Sequence, residues 1–301
     1  MILCLVGKSG AGKTYIAEQL EPYINDLSPE GTGCFILDGD IIRAETSNKD
    51  VGFSGREKNM NTILSRARWL SDLGFTVIVS AQLPIKEIRD QYLNKNDIIV
   101  EIINSGDNPK DELGYNDNFK PDYSDVQLSQ ELQSFDVKEF YNRVFPKVCI
   151  IARFQGKHLG HEIILQEAKR LSPNIVLALR ADPEDLINLD KNIDLFKQEG
   201  YKLMTTPQLY DTNQEWCSFV DKFDIIVQGN PVVIEKFQES IDTDRVQLNF
   251  VPRVGHISAT EIREAVIRKD FKFAERYVGK EVLDLLKNEL NVESKNESND
   301  G

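Results

Sequence analysis

A lysine and a hydroxyl behind three glycines offer the first chemistry in this sequence. Gly7-Lys8-Ser9-Gly10-Ala11-Gly12-Lys13-Thr14 follows an apolar run and fits G-x-x-x-x-G-K-[ST] at every fixed position. Gly7, Gly10 and Gly12 let successive backbone N–H groups, with that of Ser9, converge on phosphate oxygens. A helix opening at Lys13 adds the positive potential of its N-terminus. In such a cradle Lys13 reaches the β- and γ-phosphates, and the Thr14 hydroxyl ligates Mg²⁺. Two carboxylates come next, in Leu37-Asp38-Gly39-Asp40 at the end of a second apolar run. Carboxylates there, Asp38 among them, can orient Mg²⁺ and position an acceptor hydroxyl. The chemistry expected is phosphoryl transfer from a nucleoside triphosphate.

A second motif lies past the middle of the chain. Arg153-Phe154-Gln155-Gly156-Lys157-His158-Leu159-Gly160-His161 follows a strand-like run and opens a helix. H-x-G-H puts two imidazoles at a helix N-terminus, where the dipole already favours an anion. Such a donor pair can bind phosphate oxygens and stabilise the charge that develops as pyrophosphate leaves. No third ligand sits nearby at metal spacing, so metal ligation by His158 and His161 is not the expected role. About a hundred residues on, Ile257-Ser258-Ala259-Thr260-Glu261-Ile262-Arg263 again precedes a helix. Ser258 or Thr260 can cap it and donate to phosphate, and Arg263 adds a forked cation.

The first set resembles adenylylsulfate kinase, whose pattern runs GxSGxGKT, LDGDxxR, DLGFS, then an Arg and an Asn opening a helix. The resemblance covers roughly residues 1–90. It implies that Asp40 orients or deprotonates the acceptor hydroxyl and that Asp38 supports it. It also implies that Arg43, Phe53, Arg56 and Asn59 hold the acceptor nucleotide. The spacing after Ser54 is about two residues shorter than in the family, and Lys58 stands where an acidic residue is usual. AQLPIKEIRD replaces the ISPY-type turn.

The second set resembles the HxGH nucleotidyltransferase superfamily, in its nicotinamide-nucleotide adenylyltransferase and cytidylyltransferase-like branches. RFQGKHLGH, Gln228-Gly229-Asn230-Pro231 and ISATEIR carry that likeness over about 148–290. It implies that His158 and His161 bind the triphosphate and that Arg153 contacts it. With these go Phe154 and Asn230 as nucleotide-binding residues, and Ser258, Thr260 and Arg263 on the β- and γ-phosphates. ATP sulfurylases share these elements, but this region is too short to be one. The substrates implied are ATP with Mg²⁺, with CTP as an alternative donor for the second half. A metabolite sensor built on the same folds is the rival reading.

The elements that must position these groups follow from periodicity. Met1–Val6, Cys34–Leu37, Phe75–Ala81 and Ile98–Ile103 read as strands, and 13–24 and 57–73 as helices. Residues 104–139 are polar, with Gly, Pro, Asn and Asp punctuation, and read as a loop, lid or linker. Alternation resumes with strands at Val148, Asn174–Leu179, Phe223–Val227 and Val246–Val251. Helices are expected at 162–171, 231–240, 259–267 and 280–290. The expected fold class is α/β, with two parallel-sheet domains: a P-loop kinase domain over 1–140 and a Rossmann-like HxGH domain over 147–290. The polar residues 291–301 are expected to be a disordered tail.

The charge sum of 36 basic against 49 acidic residues gives −13, which disfavours nucleic acid and anionic membranes as partners. No apolar run approaches the roughly 18 residues of a membrane span, and Met1 leads into ILCLV without a signal-peptide pattern. Four cysteines without CxxC spacing read as reduced thiols, so a cytoplasmic enzyme is expected, with homo-oligomerisation left open.

Overall fold

The computed structural model describes residues 1–28, 32–103, 124–129, 135–154, 157–180, 187, 189–207, 213–230, 233, 235, 237–238, 241–242, 244–252 and 259–297. The chain divides into two compact units, residues 1–146 with 169–174, and residues 147–168 with 175–301.

The first unit is built on a five-stranded sheet. Its strands are β1 (Ile2–Val6), β2 (Cys34–Asp38), β3 (Thr76–Ser80), β4 (Ile98–Ile103) and β5 (Val126–Ser129). They pair in the order β2-β3-β1-β4-β5, all parallel. The helices are α1 (Lys13–Leu27), α2 (Gly39–Glu45), α3 (Phe53–Asp72), α4 (Lys86–Tyr92) and α5 (Val137–Val144). A parallel strand covered on both faces must be apolar throughout, and β1 is: Ile2, Leu3, Cys4, Leu5 and Val6 are all fully buried. Leu3 and Leu5 face a core with Ile16, Leu20 and Ile24 of α1 and Phe140 and Tyr141 of α5. Ile2, Cys4 and Val6 face Met60, Ile63, Leu64 and Ala67 of α3.

The region expected to be loop, lid or linker thus contains β5 and the start of α5. Four residues, with only Leu128 buried among those described, are too short a run for alternation to reveal. Residues 104–123 and 130–134 of that region lie outside the described residues. Because α5 packs on α1, through Tyr141 against Tyr23 at 5.2 Å, the first unit runs on to Pro146.

The second unit holds β6 (Val148–Ala152), β7 (Ile175–Leu179), β8 (Lys202–Thr205), β9 (Ile225–Gln228) and β10 (Gln247–Phe250). Its sheet runs β10-β9-β6-β7-β8, again all parallel. The chain leaves central β6 toward β7 and β8, then returns to its other side through β9 and β10. The order therefore reverses between β6 and β9, and in open α/β sheets ligands bind at the carboxyl ends flanking such a switch. The helices α6 (Leu159–Leu171), α7 (Leu189–Gln198) and α8 (Asn213–Val220) cover the sheet, and helices Ala259–Ile267, Phe271–Ala274 and Lys280–Glu297 follow it. The helix expected over 231–240 falls largely outside the described residues. The last helix continues to Glu297, through most of the stretch expected as a tail. Glu and Lys are good helix formers, and extending an existing helix needs no new nucleus. Residues 298–301 lie outside the described residues. Among those described, no helix is long and apolar enough to cross a membrane.

One buried ion pair ties the amino ends of the first sheet to α3. The Asp97 side chain, 1% exposed, accepts from Ile2 N at 2.7 Å and Asn94 N at 2.8 Å, and pairs with the Arg68 guanidinium. Removing this carboxylate leaves two backbone donors and a guanidinium without it. Asp97→Ala should lower the stability of the first unit by about 3 kcal/mol. Asp97→Asn, which keeps one acceptor oxygen, should cost about half as much. Urea denaturation followed by circular dichroism measures both, and a loss below about 0.5 kcal/mol for the alanine variant would refute the assignment.

Candidate functional site

The first site opens at the carboxyl end of β1. The chain leaves the sheet at Gly7 with φ 147°, and a Cβ there would stand 2.5 Å from the Ile102 carbonyl oxygen. Only glycine fits between loop and β4. Gly10 and Gly12 also have positive φ, 84° and 93°, which brings the loop round into α1. Lys13 Nζ donates to the carbonyls of Gly7 at 3.0 Å and Lys8 at 2.8 Å, so the lysine arches over its own loop.

Behind it three oxygens converge. Thr14 Oγ1 donates to Asp38 Oδ2 at 2.8 Å and lies 3.2 Å from Ser80 Oγ. Asp38 ends β2, and its other oxygen accepts from Asp40 N at 2.8 Å, capping α2. This group of hard oxygens suits Mg²⁺ chemically. Asp40, one residue into α2, is exposed.

Three of the four residues expected to hold the acceptor, Arg43, Arg56 and Asn59, stand around the same space. A cavity of about 960 Å³ is lined by Ser9, Gly10, Lys13, Thr14, Asp38 and Asp40, and also by Arg43, Lys49, Arg56 and Asn59. Arg43 Nη1 donates to the Asp50 carbonyl. Asn59, 7% exposed, donates from Nδ2 to the Gly39 carbonyl at 3.1 Å, and its Oδ1 has no partner among the described residues. Phe53 does not line the cavity; it stands 69% exposed at the start of α3. Among the cavity residues that sequence reasoning missed are Lys49, Ser80 and Gln82. The polar Ser80 ending an otherwise apolar strand was a usable signal. Nothing in the local pattern marked Gln82.

The second motif lies at the switch between β6 and β9. The His158 and His161 rings stack with centroids 3.8 Å apart, and Phe154 packs on His161 at 4.5 Å. Both imidazoles are nine-tenths buried, and Phe154, at φ 47°, is 1% exposed. Gly160 N donates to His158 Nδ1 at 3.1 Å, which leaves the neutral ring's proton on Nε2 as a donor. Leu159 N donates to the Tyr277 carbonyl at 3.1 Å, and His158 bridges Val278, which anchors the motif to the chain that follows helix Phe271–Ala274. Asn192, fully buried on α7, donates to the Arg153 carbonyl at 2.9 Å and fixes the strand's exit.

Asn230 is held beside the same strand end. The Gln228 side chain donates to the Ile151 carbonyl at 2.7 Å and accepts from Gly229 N at 2.8 Å and Asn230 N at 3.1 Å. Lys157 pairs with Glu162 at 2.8 Å and Glu199 at 2.7 Å. Burial opposes the Lys157 charge, but the hydrogen bonds it donates to both carboxylates outweigh this and raise its pKa above the usual 10.5. The structure brings Phe154, His158, His161 and Asn230 to this strand end. Arg263 is half-buried in the helix Ala259–Ile267, whose first turn contains Thr260; Ser258 lies outside the described residues.

Comparison with known proteins bears on the first of these sites. Residues 1–104 match the family model described as Adenylylsulphate kinase. The N-terminal region is adenylylsulphate kinase-like. The adenylyl-sulfate kinase of Microcystis aeruginosa is 39% identical over 100 residues, 33% of this chain and 53% of that protein. The probable adenylyl-sulfate kinase of Pseudomonas aeruginosa is 36% identical over 103 residues, 34% of this chain and 46% of that protein. A protein named bifunctional enzyme NodQ, from Rhizobium tropici, is 34% identical over 90 residues, 29% of this chain and 14% of that protein. The chain spans about half the length of the adenylyl-sulfate kinases it matches. With its parallel sheet and glycine loop, the first unit has a P-loop kinase-like fold.

Gly7→Ala tests how tightly this loop is built. The added Cβ meets backbone rather than a movable side chain, at a φ that strains any L-residue. ATP affinity measured by calorimetry should fall at least tenfold, corresponding to about 1.4 kcal/mol or more. Unchanged affinity would show that the loop adjusts.

Proposed function

We propose that this chain is a bifunctional transferase. Its first unit phosphorylates a hydroxyl of a small nucleotide acceptor of the adenylylsulfate type, with ATP and Mg²⁺. Its second transfers a nucleoside monophosphate from ATP or CTP to a phosphorylated acceptor and releases pyrophosphate. One observation carries the kinase reading: the glycine loop, the Thr14–Asp38–Ser80 oxygens and the acceptor-side cations line one cavity.

In that cavity Lys13 and the backbone amides of the loop hold the β- and γ-phosphates. Thr14 and Asp38 would hold Mg²⁺, and the ion would supply positive charge against the transferring phosphoryl group. Asp40 accepts the proton of the acceptor hydroxyl, whose oxygen forms the new bond to the γ-phosphorus as the bond to ADP breaks. Arg43, Arg56 and Asn59 orient the acceptor. In the second unit His158, donating from Nε2, and His161 bind the triphosphate, with Phe154 packed on the His161 ring. Asn230, Ser258, Thr260, Arg153 and Arg263 complete that phosphate site. Charge developing on pyrophosphate is met by donors already in place.

The two halves are tested separately. Wild-type protein incubated with ATP, Mg²⁺ and adenylylsulfate should yield ADP and an acceptor one phosphoryl group heavier, read by mass spectrometry. Asp40→Asn should lower kcat by about 10²- to 10⁴-fold with little change in ATP affinity; full activity in that variant would remove Asp40 from its role. For the second half, Gly160→Ala puts a Cβ 2.9 Å from His158 Cε1 and should displace the ring. Pyrophosphate release from ATP or CTP, with nicotinamide mononucleotide and phospho-alcohols as acceptors, should drop roughly a hundredfold or more in that variant. The same loss is expected in the His158→Ala, His161→Ala double variant. Undiminished release in both would rule out the assigned histidine role.

A further inference from the structure

In-line displacement puts the acceptor oxygen on one side of the γ-phosphorus and the leaving ADP on the other. In the first cavity, the residues assigned above to the metal and the acceptor all turn to one flank of β1. Thr14 meets Asp38 at the end of β2 and Ser80 at the end of β3. Arg43, Arg56 and Asn59 stand on α2 and α3, between those strands in the chain. In the sheet order β2-β3-β1-β4-β5 this is the β2–β3 side. The nucleoside of the donor therefore leaves the loop on the β4–β5 side.

Tyr15, next after Thr14 in α1, reaches that side. Consecutive helical residues diverge by about 100°, so it faces away from the metal oxygens. Tyr15 lines the same cavity, and it is 43% exposed. Its ring meets that of Phe135, past β5 and just ahead of α5, edge to face with centroids 6.4 Å apart. Phe135 in turn packs on Phe140 at 5.4 Å, and Phe140 is buried in the core shared by α1 and α5. A chain of rings thus runs from the core to the cavity. An exposed apolar ring standing singly needs no explanation. This one is backed by a ring anchored in the core, at the edge of a phosphate cradle, where a nucleoside must emerge.

We propose that Tyr15 is the platform on which the nucleobase of the triphosphate donor stacks. The inference rests on the kinase reading above, and deepens it by naming what recognises the nucleoside end of the donor. Stacking needs only the π face that every base carries, so it tells a nucleoside triphosphate from a bare polyphosphate. The ring makes this contact, and the phenol oxygen is not required for it.

The experiment compares wild type, Tyr15→Phe and Tyr15→Ala, with Mg²⁺ present throughout. Affinities for ATP, inorganic tripolyphosphate and adenylylsulfate are measured by calorimetry, and phosphoryl transfer by mass spectrometry. The alanine variant should bind ATP roughly tenfold to thirtyfold more weakly, with tripolyphosphate and adenylylsulfate affinities within about twofold of wild type. The phenylalanine variant keeps the ring and should match wild type for every ligand. Wild-type ATP affinity in the alanine variant overturns the inference. Parallel loss of ATP and tripolyphosphate affinity also overturns it, since Tyr15 would then only shape the loop. So does a loss of ATP affinity in the phenylalanine variant, which would assign the contact to the hydroxyl. If wild type and variants bind as expected but wild type transfers nothing to adenylylsulfate, the proposed reaction falls and the Tyr15 inference stands. If wild type binds neither ATP nor tripolyphosphate, both fall.

Discussion

A parallel strand buried on both faces can end only where its backbone polar groups find new partners. Both units of this chain are organised by that requirement at their central strands. At the end of β1 the Gly7 and Lys8 carbonyls are taken by the Lys13 ammonium, as a glycine loop delivers the chain to α1. At the end of β6 the partners are carboxamides: Gln228 takes the Ile151 carbonyl, and Asn192 takes that of Arg153. The first solution leaves a lysine arched over a glycine loop, an arrangement suited to phosphate. The second leaves two stacked imidazoles at the start of α6. The chemistry available to each unit is set by how it solves the same backbone problem.

That common origin explains which features could be read from sequence. The strands β1, β6 and β7 are continuous apolar runs because both faces are covered, and such runs stand out. The glycine loop was equally legible, since its glycines answer to φ and to close approach by Ile102. The short elements were not. Seven residues of α2 begin with glycine, and α4 follows a proline, so neither shows a full helical period. The four residues of β5 are hidden in polar surroundings.

In the sites, residue type was legible and pairing was not. Asp38, Lys13 and the histidines declare themselves by motif. Nothing local says that Lys157 is held by Glu199, forty-two residues downstream, or that Phe135 backs Tyr15. Long-range partners are products of the assembled fold, and a linear pattern does not carry them. Phe53 shows the opposite case. Its motif is recognisable, yet its ring stands at the exposed start of α3 rather than on the cavity wall.

Asp38 uses both carboxylate oxygens for different purposes. One caps α2 through the amide of Asp40, and the other receives the Thr14 hydroxyl. Local folding and the proposed metal-side role are thereby joined in one side chain. Substitution there frays a helix and removes the Thr14 contact together, so under the proposed reaction its effects on stability and on turnover are inseparable. Two residues along, Asp40 is exposed, and only its backbone amide enters the cap. In this loop the scaffold has one genetic address and the residue proposed to accept the proton another, so position 40 can change without disturbing the architecture at 38.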